Sequence, residues 1–232
     1  MLCKLIDMKS QELYAIIQEL QEDARQAERA IQMKAYMKDR YKFLGITAPI
    51  RKVIFRELWA QYKRMILADW KGIVQLLWND TYRESKYFAM EIIRKVEKQL
   101  ILDDLPFIET LIVEESWWDT VDFLASHAVG HILIQQPAKS SKIAHDYMDT
   151  ENMWLQRTAL IFQLFYKDKT EASLLSELVL KTVGSKEFFI NKASGWALRQ
   201  YSRTDKVFVR EFLAIHGDQL SGLTKREGGK YI

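Results

Sequence analysis

Punctuation is scarce in this chain. Its 232 residues include only 9 glycines and 3 prolines, while apolar side chains recur at three- and four-residue steps almost throughout. A β-rich fold of this length needs many turns, and turns draw on glycine and proline. The pattern therefore predicts an all-α fold of long helices joined by short connections. Helices are expected over about 9–28, 29–43, 48–66, 69–78, 83–100, 104–116, 117–135, 137–149, 151–166, 170–182, 185–201, 204–217 and 221–231. Breaks fall at Gly45 to Pro49, Asn79-Asp80-Thr81, Asp103 to Pro106, Gln136-Pro137, Gly184-Ser185 and Gly217-Asp218. Pro49, Pro106 and Pro137 each suit a first helical turn, where a missing N–H costs nothing.

Apolar residues make up 48% of the chain and charged residues 28%, ample for a core. Nothing resembles a flexible linker, so a single domain over residues 1–232 is expected. No apolar run approaches the roughly 18 residues of a membrane span. Asp7, Lys9 and Glu12 break up any secretory signal. The lone cysteine, Cys3, has no internal disulfide partner and is read as incidental. These features fit a reducing cytoplasm. The net charge of +3 does not by itself imply nucleic acid. What matters is whether the 34 Lys and Arg gather on one surface.

A weak internal repeat runs through the chain. Trp117-Trp-Asp-Thr120 aligns with Trp154-Leu-Gln-Arg157 at an offset of 37, and that block with Phe189-Ile-Asn-Lys192 at an offset of 35. Arg83-Glu-Ser-Lys86, 34 residues before Trp117, is a further candidate copy. Each block opens a helix preceded by another helix. Helical hairpins of this period predict an α-solenoid of HEAT-like repeats, with the second helix of each pair lining a concave groove.

Ser116-Trp-Trp-Asp-Thr-Val-Asp122 holds the densest chemistry. Trp118 and Asp122 are four residues apart and share a helix face. A ring face beside a carboxylate favours positive charge, as a substrate that becomes cationic would require. Trp154/Arg157 and Trp196/Arg199 repeat the spacing Trp-x-x-Arg. Arginine binds phosphate through paired donors, and aromatic rings pack on sugars and bases. One acid among such residues suits a catalytic role, because it would repel phosphate. The other reading is that Trp118 is core and Asp122 caps a turn or pairs with Arg157.

Met33 to Gly45 interleaves Lys34, Lys38, Arg40 and Lys42 with Tyr36, Tyr41 and Phe43. It reads either as a helix lying along a nucleic-acid backbone or as a solvated basic face with its rings turned inward. His127 and His131 are four apart, but no Glu follows His127, so they read as a structural pair. No phosphate loop, nucleophile elbow or CxxC pair is present.

With these residues in view, the chain resembles the HEAT-like-repeat DNA alkylation repair enzymes, the AlkD-like alkylpurine DNA glycosylases, from about Met33 to Arg226. The resemblance rests on Ala35-Tyr-Met-Lys38, Phe43-Leu-Gly-Ile46 with Pro49, Ser116 to Asp122, Trp154-Leu-Gln-Arg157, Lys186-Glu-Phe-Phe-Ile190, Gly195-Trp-Ala-Leu-Arg199 and Lys225-Arg-Glu227. It implies a monofunctional glycosylase that hydrolyses the N-glycosidic bond of cationic N3- and N7-alkylated purines in duplex DNA, leaving the lesion stacked. It implies that Asp122 is catalytic, that Trp118 and Trp196 pack on the sugar, that Arg157 and Arg199 grip phosphate, and that Tyr36 enters the minor groove. Lys38 and Lys192, beside these residues, complete the DNA-binding set.

No metal, cofactor, membrane or obligate protein partner is expected, and the protein is read as a monomer acting at the nucleoid. Two departures from the family pattern stand out. Ser194 occupies a usually apolar place, where its hydroxyl could bond back to a helix carbonyl or shift the Trp196 helix slightly. Gly228-Gly229 sits where helix formers are expected, so fraying of the last turn is predicted, at roughly 1 kcal/mol per glycine. The competing functions are a non-catalytic DNA-binding paralogue and a HEAT scaffold for a protein partner.

Overall fold

The computed structural model describes the backbone of residues 2–232 and the side chains of residues 9–232. The reading of Cys3 therefore falls outside the described side chains. Among the described residues all extended regular structure is helical, with one isolated bridge between Lys42 and Tyr82. The chain divides into two compact units, Met1–Val96 and Glu97–Ile232.

The first unit holds α1 (Leu2–Asp23), α2 (Ala27–Tyr36), α3 (Ala48–Ala68), α4 (Trp70–Trp78) and α5 (Arg83–Val96). Helix α4 packs on α5 and α1, and α3 on α1 and α5. Their apolar stripes meet in a core of Leu13, Ile17, Phe55, Leu58, Ile66, Ile73, Leu77, Trp78, Phe88, Ile92 and Ile93. Asp69 caps α4, its carboxylate accepting from the Gly72 amide at 3.1 Å.

Helix α2 has no buried residue of its own and is held at its ends. At its start the Gln26 amide donates to the Leu44 carbonyl at 2.8 Å. Gly45 has φ +90, and a Cβ there would stand 2.1 Å from the Gln26 carbonyl oxygen. The buried Glu84 carboxylate accepts from the amides of Leu44 (3.1 Å), Gly45 (2.8 Å) and Ile46 (3.1 Å). The Phe43-Leu-Gly-Ile46 motif is thus a loop tied down by one acid.

The second unit opens with short 3-10 turns at Glu97–Gln99 and Leu102–Asp104. Then come α6 (Leu105–Val113), α7 (Trp118–Phe123), α8 (Gly130–Ile134), α9 (Pro137–Met148), α10 (Met153–Ile161), α11 (Ala172–Leu180), α12 (Phe188–Tyr201), α13 (Lys206–His216) and α14 (Gly222–Gly228). Residues Leu124–Val129 form a π-turn joining α7 to α8 without a break. Three successive hairpins, α9–α10, α11–α12 and α13–α14, stack through their second helices, α10 on α12 and α12 on α14. Stacked pairs of this kind are helical repeats, as the period predicts. Asn152, Asp205 and Ser221 cap α10, α13 and α14, each contributing about 1 kcal/mol.

The expected helices are present with three informative differences. Helix α2 ends at Tyr36 instead of continuing to residue 43, because Lys38 and Asp39 adopt left-handed backbone at φ 57 and 58. Helix α10 ends at Ile161, and tight turns carry the chain through Tyr166, whose hydroxyl donates to the Gly130 carbonyl at 2.6 Å. The C-terminal glycines do not end the helical winding: α14 runs through Gly228 and a 3-10 turn spans Gly229–Tyr231. Gly228 is buried against Leu198, so close packing offsets the propensity cost.

Candidate active site

Helix α7 places the tryptophan–aspartate motif. Ser116 Oγ donates to the Ile112 carbonyl at 2.6 Å and closes the end of α6. Trp117 follows in extended conformation as the residue before α7. Trp118 is the first residue of the helix and is half-buried, and Asp122 lies one turn further on.

The Asp122 carboxylate meets Arg157 of α10 through paired donors. Arg157 Nε donates to Oδ1 at 2.6 Å and Nη2 to Oδ2 at 2.8 Å, while Nη1 donates to the Phe189 carbonyl at 2.6 Å. The Arg157 side chain is 4% exposed and that of Asp122 is 18% exposed. The pair is therefore asymmetric. Three of the five guanidinium donors make bonds within the protein and the side chain is nearly sealed, whereas the carboxylate keeps some accessible surface. Each carboxylate oxygen has two acceptor sites, and Arg157 fills only one on each.

Burial pushes the Asp122 carboxyl above its ordinary value, the bonds and charge of Arg157 pull it down, and Asp119 adds a smaller upward push. Arg157, expected to grip phosphate, is instead bonded within the protein in this structure. Asp122 and the Phe189 carbonyl take all three of its nitrogens, and the side chain has almost no accessible surface.

The residues that open the three aligned sequence blocks meet here. Trp117 packs on Trp154 with ring centroids 5.7 Å apart, and both rings lie 5.1 Å from Phe189. Phe188, exposed, stands edge-on to Phe189 at 5.4 Å. The Arg157 Cζ is 5.8 Å from the Phe189 centroid. Of these rings Phe189 lies against the nearly buried Arg157 guanidinium.

Helix α12 carries the second group. Trp196 and Arg199 are half-buried on it. Lys192 Nζ lies 2.6 Å from Glu227 Oε1, and Arg199 Nη1 lies 2.5 Å from Glu227 Oε2. The hydrogen bond from Lys192, followed by the Lys192, Arg199 and Arg226 charges, holds the Glu227 carboxyl below its ordinary value against the opposing effect of burial. Sequence reading included Glu227 in a motif and gave it no role. The available signal was its place 35 residues after Lys192, the interval that also separates Asp122 from its partner Arg157. Ser194, one residue before Gly195, is fully buried and bonds back to the Ile190 carbonyl at 3.1 Å, as expected, and lies 3.1 Å from the Thr182 hydroxyl.

Residues 16–232 match the model of the family described as DNA alkylation repair enzyme. The chain belongs to the DNA alkylation repair enzyme family. A solved structure described as a predicted DNA alkylation repair enzyme from Enterococcus faecalis is similar, with a TM-score of 0.79 and 31% identity, over 90% of this chain and 96% of that one. No match was found among curated proteins.

A DNA alkylation repair enzyme acts on DNA. Lys192 and Arg199 keep accessible surface, 37% and 21% of their side chains, unlike Arg157. In the first unit Tyr36 is 71% exposed at the end of α2, and Lys38 is exposed in the left-handed turn that follows. Met37, the residue between them, is buried and anchors that turn. The basic stretch is thus a helix end and a turn, and Lys38, Arg40 and Lys42 lie outside the helix.

Of the histidine pair of this DNA alkylation repair enzyme, His127 is packed against rings. His127 lies 4.9 Å from Phe123 and 5.1 Å from Phe165, with Nδ1 3.5 Å from Glu97 Oε2. Among the described residues no cluster of three or more His, Cys, Asp or Glu side chains could hold a metal. No described helix is long and apolar enough to cross a membrane.

Proposed function

We propose that this protein is a monofunctional DNA glycosylase that hydrolyses the N-glycosidic bond of cationic N3- and N7-alkylated purines in duplex DNA. The observation that carries this reading is the Asp122 carboxylate, fixed through both oxygens yet partly accessible. A purine alkylated at N3 or N7 already bears a positive charge. It departs as a neutral base, taking the electron pair of the C1′–N bond, and needs no general acid. The deoxyribose left behind develops oxocarbenium character, as in glycoside hydrolysis. The open acceptor sites of Asp122 face that cation and orient the water that adds to C1′. The water's proton passes to solvent. Trp118 and Trp196 present ring faces to the sugar.

Arg157 has a different task in this mechanism. It cancels part of the carboxylate's charge, yet it locks the carboxylate in place before substrate arrives. Preorganisation of this kind is where electrostatic catalysis draws its effect. Lys192, the lysine of the α12 motif, is ion-paired with Glu227. An ammonium held in an ion pair is no nucleophile, which supports base removal without strand cleavage.

The test is release of 7-methylguanine from methylated duplex DNA. No release above the spontaneous rate, with duplex binding intact, would leave the non-catalytic paralogue. The pH profile gives a second check. Asp122 must be ionised to act, and burial raises its pKa. Single-turnover excision is therefore expected to fall as pH drops through a value above that of an ordinary aspartate, before an unperturbed carboxyl would protonate. A limb at the ordinary aspartate position would contradict this.

The phosphate contacts are assigned to Lys192 and Arg199, with Tyr36 at the minor groove and Lys38 on the backbone. Lys192→Ala and Arg199→Ala are each expected to make the slope of log K against log salt shallower by about 0.9. Fluorescence anisotropy over a salt series checks it, and unchanged slopes in both would remove these residues from the contacts.

A further inference from the structure

A carboxylate is the wrong charge for a surface that binds phosphate, and Glu227 lies in the middle of one. Lys192 and Arg199 are seven residues apart on α12, two turns, so their Cα atoms are separated by about 10 Å along the axis. Both side chains nevertheless converge on the two oxygens of Glu227, at 2.6 and 2.5 Å. Gly195 lies between them on the same helix. A Cβ there would stand 2.5 Å from the Glu227 Cβ and 2.9 Å from the Thr224 carbonyl oxygen. The missing side chain opens the seat that Glu227 occupies.

Exposure orders the three groups. The Glu227 side chain is 13% exposed, Arg199 21% and Lys192 37%. The acid lies beneath and the two cations reach outward. Each cation is bonded to Glu227 through a single nitrogen. An ammonium has three donors and a guanidinium five, so both retain donors for a ligand above.

We propose that Glu227 is a positioning residue that holds Lys192 and Arg199 as a two-cation site for one DNA phosphodiester, bonding to the cations and not to the DNA. This rests on the glycosylase reading and deepens it. Long basic side chains lose rotamer freedom when they bind phosphate, and Glu227 orders both in advance. The carboxylate stays ionised because Lys192 and Arg199 favour its charged form. The opposite role is a competitor that occupies the phosphate's place, and the two roles predict opposite signs.

The experiment is equilibrium binding of the full chain to a labelled, undamaged duplex over a salt series. It compares the parent, Glu227→Gln, the double variant Lys192→Ala/Arg199→Ala and the triple variant. Glu227→Gln is expected to weaken binding roughly fivefold to tenfold, from the ordering of two side chains. It should have no further effect in the double-variant background, and on methylated DNA it should raise KM more than it lowers kcat. Equal or tighter binding by Glu227→Gln overturns the proposal. So does a loss that persists in the double-variant background, which would reflect folding alone. The binding arms use undamaged duplex, so they decide the role of Glu227 independently of excision. Failure to release methylated base would sink only the glycosylase reading.

Discussion

Asp122→Asn is expected to lower single-turnover excision of 7-methylguanine by at least about 100-fold, the scale of losing one preorganised electrostatic contact in a dry site. The substitution keeps the shape and removes the charge. It also turns an amide N–H₂ toward one Arg157 donor, now 2.6 or 2.8 Å from a carboxylate oxygen, so some stability is lost as well. The measurement therefore belongs at saturating enzyme and well below the midpoint of thermal unfolding. There a folded protein that binds duplex normally and excises at the parental rate would remove Asp122 from the chemistry. A drop in rate with unchanged DNA affinity is the signature of an interaction made in the transition state.

Arg157→Ala is expected to be the most destabilising single change in the site. It leaves the Asp122 carboxylate largely buried without its partner and orphans the Phe189 carbonyl. Removing one member of a buried ion pair costs about 3–5 kcal/mol. For a chain of this size that corresponds to a fall in Tm of roughly 6–20 °C. The salt dependence of DNA binding should stay as it is, since a side chain sealed from solvent neutralises no phosphate. Calorimetry and the binding series together decide it. A slope shallower by about 0.9 with little change in Tm would return Arg157 to the phosphate contacts.

The helices were legible because apolar spacing and punctuation are local signals. Pro49, Pro106 and Pro137 all stand in first helical turns, as their chemistry requires. The alignment of Trp117, Trp154 and Phe189 found a real contact, since these rings pack together. What the pattern did not disclose was how charges pair across repeats. Asp122 with Arg157 was one of two readings, and nothing local separates a guanidinium aimed at phosphate from one aimed at the next repeat. Both contain the same Trp-x-x-Arg spacing. Glu227 was overlooked for the same reason, although opposite charges one repeat apart are a usable sign. The end of α2 was missed because the left-handed backbone begins at Lys38, a residue type with no preference for it, and Asp39 alone is a weak signal.

The π-turn over Leu124–Val129 begins two residues after Asp122. Such a turn carries one residue more than the regular helix would, and each residue advances the helix by about 100°. The chain on its two sides is therefore out of rotational phase. Trp118 and Asp122 can keep part of their surface accessible while Ile132 and Leu133, on the same continuous rod, stay buried. An inserted residue is usually a defect to be looped out. Here it sets the facing of the Asp122 end of the rod apart from that of the buried end that follows.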